Sequence, residues 1–229
     1  MKLDPDKELS TDSIEKIAAS GTDALMISGT QNVTVDKVRI LLSRIKRCTL
    51  PKVLEPSHPD QIIPGFDYIF VPYVINSTST DWLVGKHVEW IKNYRIAWHK
   101  VVPETYIVLN SDSAVARVTH AKTDLSESEI IAYARCTERY FKFPIVYIEY
   151  SGSYGSVNIV KAVSKVLTTS ALFYGGGITT KAKASGMARY ADTIVVGNVI
   201  YENLDNALST VLSTKQSKKK KSFSDSEVR

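Results

Sequence analysis

Short apolar runs rich in β-branched residues alternate with helix-period segments along the whole chain. Near-continuous apolar content is typical of parallel strands that are buried on both faces. Parallel strands need long crossover connections, usually helices, so this alternation restricts the chain to an α/β fold. The predicted strands are residues 2–4, 24–28, 52–55, 68–72, 105–109, 145–149, 172–174 and 193–196.

The intervening segments carry recognisable helix ends. Asp12 with Glu15, and Ser126 with Glu129, have the spacing of a capping box, which predicts a helix start at each pair. Further helices are predicted over residues 82–94, 157–167, 180–190 and 204–212.

One connection between strands has a different composition. Residues 56–65 hold three prolines and a glycine, and proline disrupts a helix interior, so no full crossover helix fits there. Eight strands with about seven helices predict a modified TIM (β/α)8 barrel whose third crossover helix is replaced by this irregular segment. An open doubly wound sheet is the alternative.

The 229 residues suffice for a single barrel domain, predicted over residues 1–212. Residues 213–229 hold six basic and two acidic residues, so most of the net charge of +5 lies in this tail. Its polar composition predicts disorder. The four consecutive lysines, residues 218–221, either are simply solvated or contact nucleic acid or an anionic lipid surface.

Membrane-spanning and secreted classes are not expected. No apolar run approaches the ~18 residues of a membrane span, and the N-terminus lacks the apolar core of a secretory signal. Cys48 and Cys136 lie far apart without metal-type spacing, as expected for reduced thiols. These features predict a cytoplasmic protein.

Glycines follow the last two predicted strands. Gly175, Gly176 and Gly177 end the seventh strand, and Gly197 with Asn198 ends the eighth. Glycines let backbone N–H groups approach an anion, and the loops after strands seven and eight commonly hold phosphate in such barrels. The alternative is that these glycines only relieve crowding at barrel corners.

A carboxylate ends the sixth predicted strand. Tyr147 and Glu149 are two residues apart, so both side chains lie on one face of the strand. A carboxylate inside a barrel is costly to bury without a partner, which favours contact with a hydroxylated ligand. Ser151 and Gly152 follow with a hydroxyl and backbone N–H groups.

Oxygen donors lie on the opposite side of the expected barrel mouth. Asp4 ends the first strand, and Ser28, Gly29 and Thr30 follow the second. Such a set suits a hard cation such as Mg²⁺, although Asp4 before a proline is also typical of a turn. Lys2 either contacts a phosphate or is a solvated terminal lysine.

Two aromatic residues, Trp90 and Tyr94, lie on one face of a predicted helix. This pattern is typical of core packing, and the wall of a hydrocarbon groove has the same pattern.

Seven motifs occur in order through most of the chain. They are Lys2-Leu3-Asp4-Pro5, Ser20-Gly21-Thr22-Asp23-Ala24, Val53-Leu54-Glu55, Pro64-Gly65-Phe66-Asp67, Tyr147-Ile148-Glu149-Tyr150-Ser151-Gly152, Tyr174-Gly175-Gly176-Gly177-Ile178 and Val195-Val196-Gly197-Asn198. Together they resemble the geranylgeranylglyceryl phosphate synthase family, and most closely its bacterial branch, the heptaprenylglyceryl phosphate synthases (PcrB proteins).

The resemblance implies a Mg²⁺-dependent prenyltransferase on a modified TIM barrel, working as a homodimer. Such enzymes transfer a polyprenyl group, heptaprenyl in the bacterial branch, from its diphosphate to the 3-hydroxyl of sn-glycerol 1-phosphate. By position, Asp4 and Thr30 would ligate Mg²⁺, and Glu149 would orient or deprotonate the hydroxyl. The residues that would hold glycerol phosphate are Lys2, Tyr147, Ile148, Glu149, Tyr150, Ser151, Gly152, Gly177, Gly197 and Asn198.

Trp90 and Tyr94 would line the prenyl groove, and transient contact with the inner membrane face would follow from the lipid donor. No nucleic-acid partner is expected. Two alternatives remain open: a phosphosugar-type isomerase with Glu149 as base, and a non-catalytic phosphate-binding barrel tethered by its basic tail.

Overall fold

A computed structural model describes the backbone of residues 1–226 and the side chains of residues 1–217. Within this part, eight parallel strands lie side by side in chain order. They are β1 (Lys2–Leu3), β2 (Leu25–Ile27), β3 (Lys52–Leu54), β4 (Tyr68–Val74), β5 (Val101–Val108), β6 (Ile145–Glu149), β7 (Ala171–Gly175) and β8 (Thr193–Val195).

The sheet curves into a barrel. The Lys2 N–H donates to the Val196 carbonyl oxygen at 2.8 Å, which joins the end of β8 to β1. A doubly wound sheet reverses its strand order, whereas this order is strictly sequential. The barrel prediction is therefore confirmed, and the open-sheet alternative is wrong.

Helices on the outside of the barrel connect most strands. All eight strands fall where the apolar runs predict them, although β5 begins four residues before its predicted start. The helices are α1 (Thr11–Ala19), α2 (Val35–Ile45), α3 (Gly85–Asn93), α4 (Ala114–Thr119), α5 (Glu127–Arg135), α6 (Val157–Ser164), α7 (Lys181–Ala188), α8 (Val199–Glu202) and α9 (Leu204–Ser226).

Of the two predicted capping boxes, the one at α5 is confirmed and the one at α1 is not. Ser126 and Glu129 form the reciprocal hydrogen bonds of a capping box at the start of α5. At α1, however, the N-cap is Ser10, whose side chain accepts from the Ser13 N–H, so the start predicted at Asp12 is wrong. A serine two residues earlier satisfies an orphan N–H group at the helix start and lengthens the helix by two residues.

The third crossover is irregular, as the prolines predict. Between β3 and β4, the chain forms only a 3₁₀ helix over Pro59–Gln61. The buried Gln61 side chain holds this segment by donating to the Val33 carbonyl oxygen at 3.1 Å. The ring of helices therefore has a gap beside β3 and β4.

The core has two layers. One lies between the strands and the helices and contains Ile17, Leu41 and Val160. The other fills the barrel interior and contains Met26 and Tyr147 among others. Burying one such side chain contributes about 1.5–3 kcal/mol, so both layers hold the strands in register.

The last helix extends beyond the predicted domain boundary at residue 212. Ser213 is buried, and Lys215 Nζ lies 3.7 Å from Asp23 Oδ1, so this part of the chain packs on the barrel. The lysine side chains at residues 218–221 and the end of the predicted tail lie outside the described residues. Within residues 1–226, no helix combines the length and apolar character that crossing a membrane requires.

Candidate functional site

A polar cavity of about 230 Å³ lies at the carboxyl ends of the strands. This is the end of the barrel at which catalytic groups are found in TIM-barrel enzymes. Ten of the predicted site residues line it together: Lys2, Asp4, Thr30, Tyr147, Glu149, Ser151, Gly152, Gly177, Gly197 and Asn198.

Two other predicted binding residues do not line this cavity. Ile148 is fully buried in the layer between strands and helices, because neighbouring residues of β6 point to opposite sides. Tyr150 packs against Tyr174, with ring centroids 6.3 Å apart. Their side chains support the loop after β6, and their prediction as contacts of the ligand in this cavity is not supported by the geometry.

Glu149 ends β6 with its side chain in the cavity. Its Oε1 accepts from the Ser151 N–H at 2.5 Å and from the Ser151 hydroxyl at 2.8 Å. Burial raises the pKa of Glu149, while the nearby Lys2 ammonium and the Ser151 donors act in the opposite direction. The result is a fixed carboxylate that can accept a proton near neutral pH more readily than an exposed one.

Lys2 and Glu55 form an ion pair beside Glu149. Lys2 Nζ lies 2.7 Å from Glu55 Oε2. Glu55 also accepts hydrogen bonds from the Ser28 and Tyr106 hydroxyls. Burial alone would lower the pKa of Lys2, but Glu55 and Glu149 raise it, so the ammonium stays charged.

A second acid lies deeper in the barrel. Glu104 on β5 is completely buried, and among the described residues neither of its side-chain oxygens has a hydrogen-bond partner. Burial and the neighbouring charge of Glu55 raise the pKa of Glu104 well above its usual range. Glu104 therefore favours its protonated form more strongly than an exposed carboxyl group does.

The glycines after β7 allow two loops to touch. Gly177 has a φ of +54°, and a Cβ there would overlap the backbone of Ser153 and Tyr154. The Tyr174 hydroxyl accepts from the Gly155 N–H at 2.8 Å and donates to the Gly176 carbonyl oxygen at 2.9 Å. Crowding thus explains why glycine is required at residue 177, and the phosphate contact stays a prediction.

The oxygen donors predicted for a metal also meet at the cavity. A Cβ at Gly29 would lie 2.7 Å from Asp4 Oδ1, so the glycine leaves room for this carboxylate beside the Thr30 loop. Within the described residues, no group of three or more acidic, histidine or cysteine side chains could hold a metal ion. Asp4 and Thr30 could therefore supply only part of a coordination shell.

Three further cavities lie in a row between the polar one and α3, and each shares lining residues with the next. A space of about 140 Å³ shares Lys2, Thr30 and Glu149 with the polar cavity and reaches Trp82. A small space of about 40 Å³ extends from Trp82 to Trp90. An apolar cavity of about 370 Å³ then extends from Trp90 to Trp98 and Phe143 on the outside of the barrel.

Of the two residues predicted to line the prenyl groove, only one lines these cavities. Trp90 is buried and lines both outer cavities. Tyr94 is exposed beyond the end of α3 and lines none of these cavities. Its prediction as a groove wall is therefore not supported, because the helix ends at Asn93 and turns its last residues to the surface.

Two further residues complete the site, and no sequence pattern predicts a role for them. Glu55 occurs in one of the motifs but had no assigned role. Tyr201 lines the polar cavity, and its hydroxyl accepts from the Asp4 N–H at 2.7 Å. Residues 4 and 201 come from opposite ends of the chain, so no local pattern relates them.

The fold and the cavity place this chain among (β/α)8-barrel proteins with a polar pocket at the carboxyl ends of the strands. The PcrB family profile matches residues 1–215. The chain belongs to the PcrB family.

Two named relatives are similar to this chain over most of its length. The geranylgeranylglyceryl phosphate synthase of Methanospirillum hungatei JF-1 is 51% identical over 216 residues, which cover 94% of this chain and 93% of the relative. The heptaprenylglyceryl phosphate synthase of Lysinibacillus sphaericus C3-41 is 49% identical over 216 residues, covering 93% and 94%. The two identities are nearly equal, so identity alone does not separate the two kinds of synthase.

A solved structure supports the fold assignment. The (S)-3-O-geranylgeranylglyceryl phosphate synthase of Thermoplasma acidophilum, crystallised with its substrate sn-glycerol-1-phosphate, is 27% identical to this chain and superposes with a TM-score of 0.83. The match covers 94% of this chain and 92% of that one.

Proposed function

We propose that this protein transfers a polyprenyl group from its diphosphate to the 3-hydroxyl of sn-glycerol 1-phosphate and releases diphosphate. The observation that carries the proposal is the row of adjoining cavities, in which each shares lining residues with the next. A polar pocket with Glu149 at its edge leads, past Lys2 and Trp82, to an apolar space on the outside of the barrel. An isomerase of small phosphosugars has no use for this apolar extension.

The polar cavity accounts for the acceptor substrate. Backbone N–H groups of the glycine loops after β7 and β8 would bind the phosphate. Glu149 would then accept a hydrogen bond from the 3-hydroxyl. Ser151 fixes the carboxylate by two hydrogen bonds, so little reorganisation is needed before the reaction.

The reaction needs one proton acceptor. The 3-hydroxyl oxygen forms a bond to the allylic carbon, while the bond between that carbon and the diphosphate oxygen breaks. The hydroxyl proton passes to Glu149, and the electron pair leaves with the diphosphate. Lys2 and Lys86, which both line the cavity of about 140 Å³, would offset part of the diphosphate charge.

Asp4 and Thr30 would hold Mg²⁺ together with oxygens of the diphosphate. The donor set fits this ion, since Mg²⁺ usually takes one or two protein oxygens and completes its shell with phosphates and water. When bound, the ion would offset the charge that develops on the leaving group. The Asp4 N–H donates to the Tyr201 hydroxyl, and Gly29 leaves room for the Asp4 side chain, so the carboxylate keeps its position at the cavity.

The outer cavities would hold the prenyl chain. Each buried CH₂ group contributes about 0.8 kcal/mol, so a long chain binds tightly to an apolar wall. Trp90 and Val71 line both the small space and the larger apolar cavity. The heptaprenyl donor and the homodimer are proposed from the resemblance alone.

The test is the transfer of labelled sn-glycerol 1-phosphate into an organic-extractable product. Geranylgeranyl, hexaprenyl and heptaprenyl diphosphates are supplied in turn, each with Mg²⁺ and with EDTA. We expect Mg²⁺-dependent incorporation, strongest with the heptaprenyl donor. Labelled sn-glycerol 3-phosphate is the matched control, because it differs from sn-glycerol 1-phosphate only in configuration. We expect the polar cavity to distinguish the two configurations.

Each outcome bears on a separate part of the proposal. The strongest incorporation with the geranylgeranyl donor would keep the reaction and change the assigned donor. Equal incorporation with EDTA would remove Mg²⁺ from the proposal. No incorporation with any donor, by a protein shown to be folded, would contradict the proposed reaction.

A further inference from the structure

The helix α3 and the turn after it expose an unusual number of large hydrophobic side chains. We define the docking face as Val84, Val88, Ile91, Tyr94 and Trp98, which are between 40% and 60% exposed. Among the described residues, these are five of the ten large hydrophobic side chains with high exposure. A contiguous exposed apolar face is typical of a surface that binds a protein or a membrane.

The docking face follows the helical period. Val84, Val88 and Ile91 are spaced as i, i+4 and i+7, so they lie along one side of α3. The neighbouring side of the helix faces inward, where Trp90 is buried and His87 stacks on Tyr73 with ring centroids 5.9 Å apart. The helix therefore has two apolar sides, and the fold of this chain uses only one.

The apolar cavity opens at this same face. Ile91 and Trp98 line the cavity of about 370 Å³ and are also half exposed. A hydrophobic molecule could pass between the cavity and whatever covers the docking face without crossing water.

The charge around the face indicates the kind of partner. Residues 84–100 contain four basic residues, Lys86, Lys92, Arg95 and Lys100, and one acidic residue, Glu89. Lys92 and Arg95 are exposed between the hydrophobic side chains. Apolar and aromatic side chains interleaved with basic ones are typical of a helix that lies in the interface of an anionic membrane.

A second copy of this chain fits the face less well. A two-fold symmetric contact places the same patch on both sides, so it would bring the two basic sets together. Like charges facing each other across an interface weaken association. A bilayer with anionic head groups has the complementary charge.

We propose that the docking face binds the surface of an anionic phospholipid membrane, with the opening of the apolar cavity towards the lipid. The assignment of the bound chain as a prenyl donor rests on the proposed function, whereas the membrane contact itself does not. A donor that resides in the bilayer would then reach the cavity directly.

Vesicle flotation of the full chain tests the contact without any catalytic readout. The probes are vesicles of phosphatidylcholine mixed with phosphatidylglycerol, and vesicles of phosphatidylcholine alone. We expect binding to the mixed vesicles. The variants Val84→Ser/Val88→Ser and Lys92→Glu/Arg95→Glu should each weaken this binding at least about tenfold.

Matched controls separate the docking face from the rest of the surface. Ile40→Ser removes an exposed hydrophobic side chain from α2, and Lys165→Glu/Arg189→Glu reverses exposed charges near α6 and α7. Both should leave vesicle binding unchanged. A full-length variant with glutamine at residues 218–221 tests whether the basic tail makes the contact instead.

Three results would overturn the proposal. The full chain could fail to bind mixed vesicles, or binding could survive both docking-face variants and be lost only with the tail lysines. Light scattering could instead show a dimer that Val84→Ser/Val88→Ser converts to a monomer, which would assign the face to a second copy. Prenyl transfer with a detergent-dispersed donor is measured in parallel, so a failure of the proposed reaction would be seen separately.

Discussion

Lys2 Nζ lies 2.7 Å from Glu55 Oε2, and this ion pair joins the first and third strands at the mouth of the barrel. Both side chains line the cavity of about 140 Å³, and Lys2 also lines the polar cavity. The lysine ammonium is thus held at the boundary between the two spaces that the acceptor and the donor would occupy.

Replacing Glu55 should release Lys2. We expect Glu55→Gln to lower kcat/KM for glycerol phosphate about tenfold or more, because a flexible lysine no longer has a fixed position. Steady-state kinetics measures this effect, and Glu8→Gln, at an exposed acid between β1 and α1, is the control. If the pair acts as a unit, Lys2→Met/Glu55→Gln will be no worse than the poorer single variant. Additive losses would contradict the coupling.

Glu149→Gln should remove the proton acceptor and keep the shape of the site. We expect kcat to fall by about 10²–10⁴-fold, the usual range for losing a general base. Calorimetric binding of sn-glycerol 1-phosphate should change much less, because glutamine can still accept from Ser151. A variant with near-normal kcat would exclude Glu149 as the base.

The pH profile should report the same carboxyl group. Only the ionised form of Glu149 can accept a proton, so activity should rise as pH increases through its pKa. Because burial raises that pKa, the acid limb of kcat/KM should lie above the ordinary carboxyl value of 4.5. A limb at or below this value, measured with saturating Mg²⁺, would contradict the assignment.

Val71→Phe should change the preferred donor length. Val71 lines both the small space and the larger apolar cavity, so a larger side chain would narrow the passage between them. We expect the ratio of geranylgeranyl to heptaprenyl transfer to increase at least about tenfold, with the shorter donor little affected. Val71→Ile, which adds one methylene group, serves as the control, and an unchanged ratio would place the chain elsewhere.

The hydrogen bonds of Glu138 lead to a prediction about the pH dependence of folding stability. It is buried near the start of β7, where its carboxylate accepts from the Thr168, Thr169 and Ser170 N–H groups at 2.6, 2.6 and 3.0 Å. Burial alone would raise the pKa of Glu138, but these donors lower it to about 2. Since the folded-state value lies below the usual 4.5, its stabilisation is present above pH 4.5 and is lost as pH falls towards 2.

Glu138→Gln should therefore lower the free energy of unfolding at neutral pH by about 2 kcal/mol or more. It should also flatten the loss of stability between pH 4.5 and 2. Urea unfolding at several pH values measures both effects. Glu15→Gln, at an exposed position in the middle of α1, should leave them unchanged.

The strands could be predicted from sequence because both of their faces are buried, which makes the apolar runs continuous. The early part of β5 could not, since Pro103 and Glu104 are atypical of a strand interior. That segment is a strand because it pairs with Val71 and Pro72 of β4, a contact between segments that no local pattern encodes.

The candidate site, like the strands, could be predicted from sequence only in part. Glu149 and the glycines could be predicted because each ends a recognisable strand. Glu55 and Tyr201 could not, since Glu55 depends on a contact with Lys2 two strands away and Tyr201 on a contact with Asp4 across the barrel closure. The absence of a third crossover helix, by contrast, follows directly from three prolines.

The contact at Gly177 has a consequence for how ligand binding begins. The loops after β6 and β7 touch backbone to backbone, and one tyrosine hydroxyl, that of Tyr174, joins them. These contacts limit how far either loop can move without the other. On this side of the pocket we expect ligand binding to need little further ordering of the protein, and so to lose little free energy to it. We expect any slow conformational step of the cycle on the other side of the mouth, where the helical ring has its gap.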